Sequence, residues 1–207
     1  MWPFAHAAIG YVLYSAYTHV QLKRPPNQFT TILVVLGTQF PDLIDKPLTL
    51  VGVLTSGRSL GHSYLFAIPL LLVVCSLVYW RTREFSPVVA FGVGYLASPL
   101  VDGAPQFLQG TLTTDLREVS FWVWPLTFPA EEMVAGLKTL PLAEYAITHK
   151  AAWTAANIPM NPELKLWLRA FEGGITLVAI CLWIYDGTPG WGLLRDVSRR
   201  LRHEIRV

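Results

Sequence analysis

Tyr64-Leu65-Phe66-Ala67-Ile68-Pro69-Leu70-Leu71-Leu72-Val73-Val74-Cys75-Ser76-Leu77-Val78-Tyr79-Trp80 contains no charged residue. With Gly61 to Ser63 ahead of it, the run makes about 30 Å of helix at roughly 1.5 Å per residue, the thickness of a bilayer core. Lipid offers backbone amides no hydrogen-bonding partner, so a stretch of this kind has to be helical to cross. Pro69 lies near its first third and is expected to kink it.

Similar runs lie on both sides. Ser86 to Val101 is also uncharged, and Ser86-Pro87 suits an N-cap followed by a first-turn proline. Its Gly92 and Gly94 permit close helix packing. Asn161-Pro162-Glu163 opens another helix, apolar from Gly173 to Tyr185 and stopped by Asp186-Gly187-Thr188-Pro189. Phe4 to Val20 is partly polar through His6, Tyr14, Tyr17 and His19, and Phe29 to Ile44 is apolar until Asp42. Each of these two is either a tilted span or a helix buried against the others. The expected fold is all-α, an integral membrane helical bundle of about five helices over residues 1–185. A long outer loop region, 103–161, separates helices 4 and 5, and a basic tail occupies 186–207.

Composition agrees with a lipid-facing chain. Of 207 residues 53% are hydrophobic and 14% charged, with a mean hydropathy of +0.41. A soluble domain carries about a quarter charged residues because it needs a solvated shell. The net charge of +2 is too small to argue for nucleic acid, and none is expected as a partner. Cys75 and Cys181 each lie in an apolar run without metal-type spacing and are expected to be free, buried thiols. Met1 to His6 lacks the basic start of a signal peptide, so the first helix is expected to be retained.

Basic residues cluster at Lys23-Arg24, at Arg81 and Arg83, and at Arg195, Arg199, Arg200, Arg202 and Arg206, nine of the sixteen in the chain. Five alternating helices put all three places on one side, which the positive-inside tendency makes cytoplasmic. The N-terminus is then outside and the C-terminus inside the cell membrane. In the tail, Trp191, Leu194, Val197 and Leu201 at helical spacing suit an amphipathic helix on anionic headgroups. In the outer loop region, Phe121-Trp122-Val123-Trp124-Pro125-Leu126 suits the outer interface or a cover over the bundle mouth.

That topology collects polar residues at the outer helix ends. His6 starts helix 1, Asp42 and Asp45 close helix 2, Arg58 and His62 precede helix 3, and Asp102 ends helix 4. Each has a structural reading of its own: an interfacial histidine, a Pro-Asp helix end, a helix stop, a loop arginine facing headgroups. Jointly they carry more weight, because ionisable groups at membrane depth are costly and are usually paired or functional. Imidazoles with carboxylates suit zinc, or manganese and magnesium where oxygens dominate. His19, His149 and His203 have no acidic neighbours at ligand spacing and read as surface or core residues.

Four short motifs occur in order: His6; Phe40-Pro41-Asp42-Leu43-Ile44-Asp45; Gly57-Arg58-Ser59-Leu60-Gly61-His62-Ser63; and Gly94-Tyr95-Leu96-Ala97-Ser98-Pro99-Leu100-Val101-Asp102, with Trp124-Pro125 beyond them. In order and spacing over residues 1–126 the chain resembles the LexA-binding, inner-membrane-associated, metal-dependent hydrolase family. That family is similar to the all-helical zinc phospholipases C and single-strand nucleases. The resemblance implies phosphoester hydrolysis by a metal-activated water. Two family histidines are replaced here, by Gly57 and by Ser98, and a neutral hydroxyl binds divalent metal weakly.

The resulting expectation is one divalent metal, zinc first, held by His6, Asp42, His62 and Asp102. Asp45 is a catalytic candidate that supports or bridges the ligands, a free carboxylate accepts the proton of the activated water, and Arg58 holds a substrate phosphate through paired donors. The expected partners are membrane lipid and a phospholipid or other phosphoester substrate. The alternative is a catalytically degenerate member that binds or packs through its polar mouth. A small transporter would need polar residues near the midplane, where the strong spans have few.

Overall fold

The computed structural model describes residues 2–54, 57–108, 121–126, 162–192 and 195. Among them the chain is all-helical, with five long helices: α1 (Pro3–Tyr17), α2 (Gln28–Leu50), α3 (Tyr64–Thr82), α4 (Ser86–Leu108) and α5 (Pro162–Tyr185). A single π-helical turn, Thr18–Leu22, extends α1.

Local chemistry sets the starts. Pro3 opens α1, where its missing N–H costs nothing. Asn27 precedes α2, and its Oδ1 accepts the Thr30 N–H at 2.9 Å, an N-cap hydrogen bond. Pro162 and Glu163 open α5, with Glu163 in its first turn, where the helix dipole favours negative charge. After α5, Gly187 at φ 83° lets the chain turn back, and Thr188 N–H reaches the Trp183 carbonyl at 2.8 Å.

Two expected helix ends are displaced. Asp42 and Asp45 do not close α2, which runs on through Pro41 and Pro47 to Leu50. Asp102 does not end α4, which continues to Leu108. Asp45 and Asp102 have tertiary partners, so neither is available to compete with the helix backbone as a stop. Both thiols are free as expected, but Cys181 is exposed and Cys75 only half-buried.

Two helices are long and apolar enough to cross a membrane among the described residues, Tyr64–Thr82 and Lys165–Tyr185. Their apolar side chains are mostly exposed (Leu72, Val73, Leu77, Leu177 and Ile184 among them), as a lipid-facing surface requires. In contrast, α1 buries Ala5, Ala8, Tyr11 and Tyr14, and α4 buries Val88, Ala90, Tyr95 and Ala97.

The described residues divide into two compact units: those within 1–39, 74–97 and 172–207 form the first, those within 40–73 and 98–171 the second. The first has two apolar clusters. Tyr14, Val34 and Ala90 pack with Tyr17, Leu33, Val89 and Val93, and Ala8, Tyr11 and Ala179 pack with Val12, Ile175, Leu182 and Trp183. Here α2 and α4 touch backbone to backbone: Gly37 lies against the Phe91 carbonyl and Gly94 against the Val34 carbonyl, with no room for a Cβ at either.

A buried carboxylate ties α5 to α1 in the same unit. The Asp186 side chain is fully buried and accepts Tyr11 O–H at 2.6 Å, Ser15 O–H at 2.7 Å and His19 Nε2 at 2.7 Å. His19 therefore has an acidic partner after all, contrary to its sequence neighbourhood; His149 and His203 lie outside the described residues. Burial works against the Asp186 charge, but the donations from Tyr11, His19 and Ser15 outweigh it and hold its carboxyl below the ordinary value. A depressed folded pKa means stabilisation that is fully present above about pH 4 and lost as pH falls through the folded value. Asp186→Asn is expected to cost roughly 1.5–3 kcal/mol at neutral pH. Thermal unfolding in detergent checks it: the gap between wild type and variant narrows on acidification, and a gap independent of pH removes this account.

Candidate functional site

In the second unit, Asp45 organises the chain that leads into α3. Its Oδ1 accepts Gly61 N–H at 2.7 Å, and its Oδ2 accepts Ser59 N–H at 2.7 Å and His62 N–H at 3.3 Å. Oδ2 also takes His62 Nδ1 at 2.8 Å. One carboxylate thus winds residues 59–62 around itself. Gly61 makes this possible, because a Cβ there would strike the Pro41 carbonyl oxygen at 2.6 Å.

The loop delivers a fully buried imidazole to two further carboxylates. His62 Nε2 lies 3.2 Å from Asp102 Oδ2 and 3.9 Å from Asp42 Oδ1. The shorter approach is an ion-pair distance and not an aligned hydrogen bond, so Nε2 is buried without one. Burial alone lowers the imidazole pKa, but the neighbouring carboxylates of Asp102 and Asp45 outweigh it and raise it above the ordinary value.

Arg58 completes the group. Its Nη2 donates to Asp102 Oδ1 at 3.1 Å, and its guanidinium lies 5.9 Å from the Phe121 ring centroid. Phe121 also meets the His62 ring edge-on at 6.1 Å. The Phe121–Leu126 segment is pinned at two points: Trp122 Nε1–H donates to the Pro99 carbonyl at 2.9 Å, and Ser63 O–H to the Trp124 carbonyl at 2.7 Å. The aromatic stretch is therefore a cover over these residues; the rest of the expected outer loop, 109–120 and 127–161, lies outside the described residues. Asp42 is partly exposed and paired with Lys46 at 2.6 Å, one helical turn on.

Asp42, Asp45, Arg58, His62 and Asp102 are thus brought together in one unit. His6 belongs to the other, where its Nδ1 faces the Trp2 carbonyl at 3.2 Å. The buried oxygens of Asp45 are taken by the loop amides and His62. Among the described residues no group of three or more His, Cys, Asp or Glu stands ready to hold a metal ion. The spacing explains this: only Asp102 is close to Nε2, and Asp42 is farther off with Lys46 beside it. Of the two positions where the resemblance leads one to expect histidine, Ser98 is buried, whereas a Cβ at Gly57 would meet nothing within 4 Å.

Sequence reasoning missed the loop wrapping. Its signal was present in Ser59-Leu60-Gly61-His62, a turn-rich stretch just before an apolar helix, but pairing it with Asp45 requires the tertiary contact.

No curated protein and no solved structure matches this chain. The model of the YdjM inner membrane protein family matches residues 1–185. That match covers all five helices and agrees with the inner-membrane part of the resemblance; hydrolysis does not follow from it. With the exposed apolar helices and the ordered motifs already in place, the chain belongs to the YdjM inner membrane protein family.

Proposed function

We propose that the chain is a membrane-bound metal-dependent hydrolase of a phosphoester or lipid-like substrate, with its N-terminus outside and its C-terminus cytoplasmic. The observation that carries this is His62. One ring nitrogen is locked by a buried carboxylate, and the other faces two more carboxylates without an aligned hydrogen bond. Metal-ligating histidines are oriented in this way, with the second nitrogen donating to a carboxylate.

A divalent ion would be held by His62 Nε2, Asp102 and Asp42, with zinc favoured by the imidazole and manganese or magnesium by the oxygens. Such an ion would supply Lewis acidity and lower the pKa of a nearby water. Asp45 fixes the imidazole tautomer. Arg58, partly exposed, is the group placed to take a phosphate oxygen, exchanging its bond to Asp102 for one to substrate. Phe121 limits water at the site.

A second reading is favoured by the Arg58–Asp102 bond and by the lack of a ready three-donor group among the described residues. There the residues form a charge-balanced structural cluster in a catalytically degenerate member. Metal content separates the two. Detergent-purified wild type should carry stoichiometric metal and lose it in His62→Ala together with phosphoester hydrolysis. Saturating metal at about a hundred times Kd should stabilise wild type by roughly 2.7 kcal/mol. Equal metal in both proteins, and a melting temperature indifferent to chelator, would leave the structural cluster standing.

A further inference from the structure

The ends of five helices in the first unit meet at its basic edge. His19 bonds to Asp186, Tyr14 O–H approaches Ser86 Oγ at 3.5 Å, Gly192 packs on Gln28, and Tyr79 stacks on Phe85 at 4.2 Å. Lys23, Arg24, Arg81 and Arg83 are exposed on this edge. Among the described residues none of the four has a carboxylate in ion-pair range. The nearby Asp186 is buried and already engaged with His19, so it does not neutralise them.

The backbone adds an independent observation. Lys23 and Arg83 hold left-handed conformations, with φ of 53° and 59°, each just past a helix end. Glycine and asparagine take that conformation more readily than other residues, and glycine is the usual choice there. The chain places a cation at both positions despite the strain, and such outliers are a starting point for functional hypotheses. Trp80 and Tyr185, largely exposed at the ends of α3 and α5, sit where amphipathic rings anchor at headgroup level.

We propose that this edge binds the phosphate headgroups of anionic phospholipids through Lys23, Arg24, Arg81 and Arg83. The occupant follows from charge complementarity on a surface that the exposed rings place at the lipid–water boundary. Arg83 is held over the Tyr79 ring at 5.6 Å, which keeps its guanidinium at a fixed height on that surface.

The test uses the full chain in nanodiscs of phosphatidylcholine alone or mixed with phosphatidylglycerol. Native mass spectrometry reads retained lipid, and thermal unfolding reads stability. The double variant Lys23→Asn, Arg83→Asn keeps side chains that tolerate the left-handed backbone. It should retain phosphatidylglycerol less well, by roughly fivefold per cation removed. Its melting temperature in phosphatidylcholine should equal or exceed that of wild type. The pair Arg24→Gln, Arg81→Gln, outside the strained positions, should show the same loss of lipid. Undiminished phosphatidylglycerol retention by both double variants overturns the proposal. So does an equal fall in melting temperature in both lipid mixtures, which would make these cations partners of the helix dipoles alone. Preferential retention of a double-stranded oligonucleotide over phosphatidylglycerol would overturn it as well.

Discussion

Asp45→Ala is expected to destabilise the protein by about 3–5 kcal/mol, the cost of removing one partner of a buried charged pair. The fully buried carboxylate accepts three loop amides and the His62 ring, and alanine leaves all four donors without an acceptor in a place water does not reach. The loss should be local first. Hydrogen exchange at Ser59, Gly61 and His62 should accelerate ahead of global unfolding, because those amides are held by the side chain and not by a helix. Asp45→Asn keeps the shape and one acceptor and should cost less. A loss under about 1 kcal/mol in thermal unfolding, with exchange at 59–62 unchanged, would show that the loop does not depend on this residue.

Gly94→Ala and Gly37→Ala are expected to cost about 1–3 kcal/mol each by overpacking. The new methyl at 94 would strike the Val34 carbonyl, and that at 37 the Phe91 carbonyl, so the two contacts are reciprocal across α2 and α4. Main-chain atoms cannot rotate out of the way, so the helices must separate and loosen the Tyr14–Val34–Ala90 cluster between them. Because both substitutions strain one interface, the double variant should depart from additivity. Gly10→Ala is the control: its nearest obstacle is the Thr38 methyl, a side-chain atom with more freedom to move. If all three variants melt alike, close backbone approach is not what holds α2 to α4.

Apolar runs and their punctuation determined the helices. A backbone surrounded by lipid has to satisfy its own hydrogen bonds, so Tyr64 to Trp80 had one available structure, and Pro162 with Asp186-Gly187 marked both ends of α5. The residue types at the candidate site were also legible, since Asp42, Asp45, Arg58, His62 and Asp102 are charged or titratable groups in an apolar chain. Their roles were not. Whether an aspartate ends a helix or serves a distant loop depends on which faces meet, and neither Asp45 nor Asp102 carries that in its neighbours. His19 and Asp186 make the same point at a separation of 167 residues. Helix formation is local and follows from composition; the pairing of buried charges is decided only when packing excludes water and leaves each polar group to the partners within reach.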